Sequence, residues 1–145
     1  MKIKNLIYYS VGITLVAASM VTHAADRKIE TAPPEFLKMS NPNDVDDVDK
    51  KIMKNAKKLY KMKCKKCHGS DGDGKGSAAD DMEVKPTAFN KPGYLKTRKD
   101  GQLFWILKKG SKGSEMEGFG PGTDANLSDE EMWGIITYMR SEFTK

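Results

Sequence analysis

The stretch Cys64-Lys65-Lys66-Cys67-His68 constrains this chain more than any other part of the sequence. Two cysteines three positions apart near the end of a helix project to the same side, so both thiols can reach one porphyrin. The histidine that follows can offer an imidazole nitrogen to the iron. C-x-x-C-H is the attachment pattern of haem c, and it predicts one haem linked through Cys64 and Cys67 with His68 on the iron.

Three other uses of a C-x-x-C pair fit the sequence less well. A redox dithiol requires a thioredoxin-like βαβ context, and no such pattern is present. A structural zinc site needs about four ligands, whereas the chain has no other cysteine and its second histidine, His23, lies near the amino terminus. A disulfide between such close cysteines closes a very small loop and stabilises little. Haem attachment is therefore the favoured interpretation.

Residues 1–24 have the pattern of a secretory leader. Lys2 and Lys4 give a basic start, residues 6–21 are an apolar run, and small residues precede a cleavage site after Ala24. The apolar run is short for a membrane span, which needs about 20 residues, but an uncleaved membrane anchor stays open as an alternative. Export agrees with the haem prediction, since bacteria attach haem c outside the cytoplasm, and it predicts a periplasmic protein.

Length and charge limit the remaining choices. The 145 residues suggest one domain with additional segments, which we divide into a signal peptide (1–24), an extended arm or linker (25–43) and a haem domain (44–145). The net charge of +5 falls to +3 without the leader, and two haem propionates would bring it close to neutral. The overall charge thus favours no particular partner, and export argues against nucleic-acid binding.

Apolar periodicity predicts an all-α domain. The first helix is predicted from about Asp44 to Lys66, and its acidic start and nine lysines after residue 49 match the helix dipole. A second helix is predicted over 100–109 with Gly110 as its stop. The last is predicted to follow the capping box Ser128–Glu131 and to reach about Phe143. Residues 83–99 are predicted to be irregular.

The arm over residues 25–43 has two open interpretations. Three prolines interrupt regular structure in this segment. Phe36, Leu37 and Met39 could pin the arm to the domain, or the arm could be a disordered linker.

The residue inventory also limits the sixth iron ligand. Without a second usable histidine or a spare cysteine, a methionine is the natural candidate. Met116 is preferred because it lies in a glycine-rich loop between two helices, and Met82 is the second candidate. An open or lysine-ligated iron is the remaining alternative.

Over about residues 46–143 the chain resembles the class I c-type cytochromes, in particular the small bacterial single-haem domains. The likeness rests on the C-x-x-C-H motif and on several short motifs around it: Ala56-Lys-Lys-Leu59-Tyr60, Gly72-Asp73-Gly74, Gly101-Gln102-Leu103-Phe104, Gly110, Met116, Leu127-Ser128 and Tyr138-Met139-Arg140. The resemblance implies an all-α cytochrome c fold in which the amino- and carboxyl-terminal helices cross beside one haem c.

The resemblance also implies further site residues. A proline carbonyl in the family accepts the N–H of the iron-bound imidazole, and Pro86 is the candidate here. Arg98, together with Tyr94 and Trp105, is a candidate for contacts with the haem propionates. Many members have glycine at the position of Ala56, so a slightly wider helix crossing is expected. Many have proline at the position of Glu117, which implies a less stiff ligand loop here.

These features favour an electron carrier that is not an enzyme and that changes the oxidation state of its iron. Lysines beside the haem edge could steer docking to an acidic patch on a redox partner; they are Lys61, Lys63, Lys65 and Lys66. A haem c subunit of a periplasmic oxidoreductase complex is the alternative. A gas-binding protein with an open iron fits less well, because the four-helix members of that class carry the motif near the carboxyl end and 77 residues follow His68 here.

We expect mass spectrometry of the exported protein to find a mature chain that begins at Ala25. Retention of residues 1–24 would instead indicate a membrane anchor.

Overall fold

A computed structural model of the chain describes residues 29–144; the predicted leader lies outside this part. Within it there are six α-helices: α1 (Pro34–Leu37), α2 (Lys50–Leu59), α3 (Lys65–His68), α4 (Tyr94–Thr97), α5 (Asp100–Lys109) and α6 (Asp129–Phe143). The described residues form no β-sheet, and Gly110 and Glu117 make one isolated antiparallel bridge. No helix between residues 29 and 144 is long and apolar enough to cross a membrane. The predicted all-α fold is confirmed.

The predicted start of the first helix at Asp44 is wrong, because α2 begins at Lys50. The side chain of Asp49 caps the helix by accepting a hydrogen bond from the backbone N–H of Lys51. Earlier in the segment, the N–H of Asp46 donates to Oδ1 of Asp44 at 2.9 Å. Short carboxylate side chains compete in this way with helical hydrogen bonds, which explains why an acidic run precedes the helix instead of opening it.

The helix that carries the cysteines changes its winding on the way to them. A π-helical turn, Tyr60–Cys64, follows α2 and leads directly into α3, so the helical path continues to His68. Gly69 then ends it with a φ of 79°. Such π turns insert a residue and rotate the face that follows, and they are frequent at functional sites. Here the turn leaves Cys64 buried, while Met62 remains 56% exposed.

The crossing of α2 and α6 forms the centre of the core, as the resemblance implied. Gly134 lies opposite Ala56, so the methyl group of Ala56 meets a residue without a side chain. One turn further on, the ring of Tyr60 packs against Tyr138 at 5.4 Å and against Phe143 at 5.2 Å between centroids. The hydroxyl of Tyr60 donates to the carbonyl of Gly69 at 2.9 Å. The crossing therefore supports the turn that follows the haem motif.

The two later helices agree with the sequence prediction. Helix α5 spans residues 100–109 and is followed by Gly110. Helix α6 begins with the Ser128–Glu131 capping box and ends at Phe143. Short-range signals determine these ends, since the cap residues act on the first turn itself. The short helix α4 was not predicted.

The arm is pinned to the domain over its described part, and two side-chain systems hold it. Gly101 allows α1 to lie directly on α5, since a Cβ there would collide with the carbonyl of Phe36. The ring of Phe36 contacts that of Phe104 at 6.3 Å. The buried Gln102 accepts from the N–H of Ala32 at 2.8 Å and donates to the carbonyl of Glu30 at 3.0 Å. Among the three residues predicted to anchor the arm, Phe36 makes the contact just described, whereas Met39 is 37% exposed.

The substitution Gln102→Ala should release the arm. It leaves the buried N–H of Ala32 without its acceptor, and we expect a loss of about 2 kcal/mol in the free energy of unfolding. Guanidinium unfolding measures the loss, and faster tryptic cleavage after the exposed Lys38 reports the release. Lys109→Ala, at an exposed position of the same helix, is the control. Equal stability and cleavage in the two variants would contradict the assigned role of Gln102.

Candidate functional site

The residues predicted to attach the haem and bind its iron, together with Pro86, line one cavity of about 210 Å³. The helical segment over residues 60–68 contributes Cys64, Cys67 and His68 to the cavity. Two loops, over residues 82–87 and 111–119, supply the rest of the lining. The lining residues are Lys63, Cys64, Cys67, His68, Met82, Val84, Lys85, Pro86, Thr87, Ser111, Ser114, Glu115, Met116, Glu117 and Phe119. The structure thus brings together the three motif residues and both candidate methionines.

The imidazole of His68 is held from two directions. Its Nδ1 lies 3.1 Å from the carbonyl oxygen of Thr87 and donates to it, because a carbonyl can only accept. Its ring stacks on Phe89 with centroids 4.4 Å apart. Burial lowers the pKa of His68, and the hydrogen bond to Thr87 acts in the opposite direction. The ring is therefore favoured in its neutral form, with Nε2 as the nitrogen that remains for a metal.

The acceptor for His68 is a correction to the sequence prediction. Pro86 lines the cavity, but the carbonyl that accepts from Nδ1 belongs to the next residue, Thr87. The carbonyl of Pro86 instead lies against Gly74, where an added Cβ would come within 2.5 Å of it. Phe89 was not predicted at all. A proline followed closely by an aromatic residue after the motif is the signal that could have drawn attention to this segment.

The two cysteines differ in their surroundings. Cys64 is 7% exposed, and burial raises the pKa of its thiol to about 12, with a smaller contribution from Cys67. Cys67 is only partly buried. Reactive redox and metal-binding cysteines need a lowered thiol pKa. The raised pKa of Cys64 therefore argues against the dithiol interpretation.

The loop with Met116 is held tightly against the end of α5. The N–H of Ser111 donates to the carbonyl of Met116 at 2.8 Å, and that of Phe119 donates to Leu107 at 2.9 Å. Met116 also packs against the hydrophobic core, although it is only partly buried. Met82 lines the cavity without belonging to that cluster. The core contact favours Met116 as the ligand, and its assignment stays a prediction.

The residues suggested for the propionates lie apart from the cavity lining. Arg98, Tyr94 and Trp105 are absent from it, and the guanidinium of Arg98 lies 4.9 Å from the ring centroid of Tyr94. Their role toward the haem stays a prediction. The arginine that most clearly organises this region is Arg140, which pairs with Asp100 at 2.6 Å and donates to the carbonyl oxygens of Leu95 and Arg98.

The donor set fits a covalently held haem. It comprises two thiols on one side of a helical turn, a neutral imidazole with one nitrogen already occupied, and two thioethers in the same cavity. Val84, Pro86 and Phe119 provide apolar lining between them. Imidazole and thioether are the pair found on iron in electron-transfer haem proteins.

A comparison with protein families agrees with this interpretation. A family model described as Cytochrome c matches residues 53–142. Among solved structures, the chain is similar to one in the reducing HAO-like protein complex of Kuenenia stuttgartiensis, at 27% sequence identity and a TM-score of 0.53; the match covers 67% of this chain and 46% of that chain. It is also similar to cytochrome cL from the marine methylotrophic bacterium Methylophaga aminisulfidivorans, at 26% identity and a TM-score of 0.48, over 66% and 57% of the two chains. The chain thus spans about half the length of these neighbours. The comparison with curated proteins gave no match.

We expect Gly74→Ala to disturb the His68–Thr87 hydrogen bond. Gly74 has a φ of 74°, and an added Cβ would press on the Pro86 carbonyl. The left-handed conformation alone costs about 1–2 kcal/mol for a residue with a side chain. The displaced Thr87 carbonyl should also raise the midpoint potential, because an imidazole that loses its acceptor becomes less basic.

Gly113→Ala is the matched control, since Gly113 has a φ of 73° and no atom within 4 Å of an added Cβ. Guanidinium unfolding and potentiometric titration of the haem-loaded variants give the two quantities. Equal losses of stability and equal potentials in the two variants would contradict the link between Gly74 and His68.

Proposed function

Because the chain belongs to the cytochrome c family, we propose that it is a periplasmic single-haem electron carrier between redox proteins. The observation that carries the proposal is the single cavity lined by Cys64, Cys67, His68 and Met116. A haem iron held by imidazole and thioether supplies one-electron exchange between Fe(II) and Fe(III). The pattern of residues 1–24 supports export.

The residues of the chain have separate tasks in this function. Cys64 and Cys67 are the sites of covalent attachment, and His68 is the ligand whose ring Thr87 and Phe89 keep in one orientation. A hydrogen bond from the other ring nitrogen of a ligand histidine to a carbonyl fixes the ring and raises its basicity. Met116, on a loop fastened to α5, would supply the second protein ligand to the iron. A site closed on both sides favours electron exchange over the binding of a substrate.

The surface next to the cavity provides a place for a partner to dock. Four lysines of the helical segment are exposed, and one of them, Lys63, also lines the cavity. The others are Lys61, Lys65 and Lys66. Basic groups around the point of electron exit would attract a partner with an acidic patch and speed the encounter.

A permanent place in an oxidoreductase complex is the second candidate function. The similar chain from Kuenenia stuttgartiensis belongs to a reducing HAO-like protein complex. In this chain the segment over residues 30–41 is bound to the domain through Gln102 and Asp100, so it adds surface beside α5. A partner that stays bound through purification would favour this candidate.

Met116→Ala should remove the weak near-infrared band of sulfur-to-iron ligation from the oxidised protein, because the thioether is then absent from the iron. Met82→Ala, in the same cavity, is the matched control and should keep the band. Absorption spectroscopy of both haem-loaded variants makes the comparison. The reverse pattern would transfer the ligand assignment to Met82. Rapid binding of carbon monoxide by the reduced wild-type protein would contradict a closed site and with it the carrier function.

A further inference from the structure

The rim of the haem cavity is built from two parts of opposite charge. One part is the helical segment over residues 61–68, and the other consists of the loops over residues 80–85 and 111–118. Both parts supply lining residues, so both lie at the edge where a partner would approach. Proteins that exchange electrons must bring this edge close to their own redox centre, and the charges around it therefore act on the encounter.

The charged side chains in the helical part of the rim are all basic. Residues 61–68 hold four lysines and no acid, and all four lysines are exposed. The side chain of Met62 lies among them and is 56% exposed.

The loop part of the rim is acidic. Its two loops hold five carboxylates and two lysines, which gives a net charge of −3, and all seven side chains belong to exposed residues. Glu115 and Glu117 line the cavity itself. The acidic residues are Asp80, Asp81, Glu83, Glu115 and Glu117.

A hydrogen bond joins the two acidic loops. The N–H of Glu83 donates to Oε1 of Glu115 at 2.9 Å, across 32 positions of sequence. Lys85 also lines the cavity. Its ammonium group donates to the carbonyl oxygens of Ala79 and Asp80 at 3.1 and 2.9 Å. The hydrogen bond between Glu83 and Glu115 therefore ties the two acidic loops together at the rim.

We propose that this rim is a two-signed docking face for a redox partner protein that carries an acidic patch beside a basic patch. The proposal rests on the carrier function and adds a second half to its docking surface. A purely basic rim would let an acidic partner rotate freely about the contact. Opposite charges on the two halves favour one rotation and penalise the others, because like charges then meet. The apolar Met62 would lie in the basic half of the contact.

The two halves can be tested separately with small redox ions of opposite charge. Hexacyanoferrate(III), an anion, accepts one electron from the reduced protein, and hexaammineruthenium(II), a cation, donates one electron to the oxidised protein. At about 0.01 M ionic strength charges act over about 30 Å. We expect Lys66→Glu to slow the reaction with the anion about threefold to tenfold, and Glu83→Lys to slow the reaction with the cation to a similar degree. Both effects should disappear near 1 M salt, where the range is about 3 Å.

Lys54→Glu and Glu130→Lys are the matched controls. Both side chains are exposed, and they line the separate groove between α2 and α6 instead of the haem cavity. They should leave both rates close to wild type. If Glu83→Lys leaves the rate of the reaction with the cation unchanged, the acidic half of the docking face is overturned. The same conclusion follows if the control Glu130→Lys slows that reaction equally.

Two further results distinguish a failure of the two-signed docking face from a failure of the electron-carrier function on which it rests. Absence of a haem spectrum and of reaction with either ion would remove the carrier function itself. Sedimentation velocity at low salt tests the other occupant that a two-signed face could accept, a second copy of this chain. A wild-type dimer that both Lys66→Glu and Glu83→Lys dissociate would overturn the assignment to a different partner. A monomer agrees with the proposal.

Discussion

The hydrogen bond from Nδ1 of His68 to the carbonyl of Thr87 is the contact on which the rest of the site depends. It joins the end of the C-x-x-C-H turn to a segment nineteen residues later. The ring of Phe89 adds a stacking contact on the same imidazole, and Phe89 in turn donates its N–H to the carbonyl of Gly72. A histidine that was free to rotate could not hold a metal in one geometry. The loop over residues 69–89 thus supports this side chain, and Gly74, which lies against the carbonyl of Pro86, is part of that support.

The helix crossing provides the rigid base for this support. Ala56 and Gly134 let α2 and α6 approach closely, and Tyr60 continues the contact toward the motif. Because the Tyr60 hydroxyl donates to the carbonyl of Gly69, the core is connected to the residue directly after His68. Burial raises the pKa of Tyr60, so the phenol stays protonated and keeps its role as donor. The hydroxyl thus connects the crossing to the turn that follows the iron ligand.

Local signals in the sequence were enough for the fold and for part of the site. The limits of α5 and α6 follow from a glycine stop and a capping box, and the motif itself identifies its thiols and imidazole. The predictions that were wrong or left open concern features that depend on contacts distant in sequence, or on side chains that compete with the backbone for hydrogen bonds within a turn. The start of α2 moved to Lys50 because side chains such as Asp44 accept backbone N–H groups before the helix. The acceptor moved from Pro86 to Thr87 because the loop path decides which carbonyl faces the ring. Sequence alone also left the arm undecided, since its anchor Gln102 is about 70 residues away.

The loop of Met116 shows how this chain replaces a stiffening proline. A proline at position 117 would fix φ near −65°, and Glu117 lacks that restriction. Instead, Glu117 forms a bridge with Gly110, and the carbonyl of Met116 accepts from the N–H of Ser111. Three residues later the N–H of Phe119 donates to the last turn of α5. The loop is thus restrained by backbone pairing with a helix end. It follows that the position of Met116 depends on the carboxyl end of α5. The bridge uses only the backbone of Glu117, and its side chain belongs to the rim of the cavity.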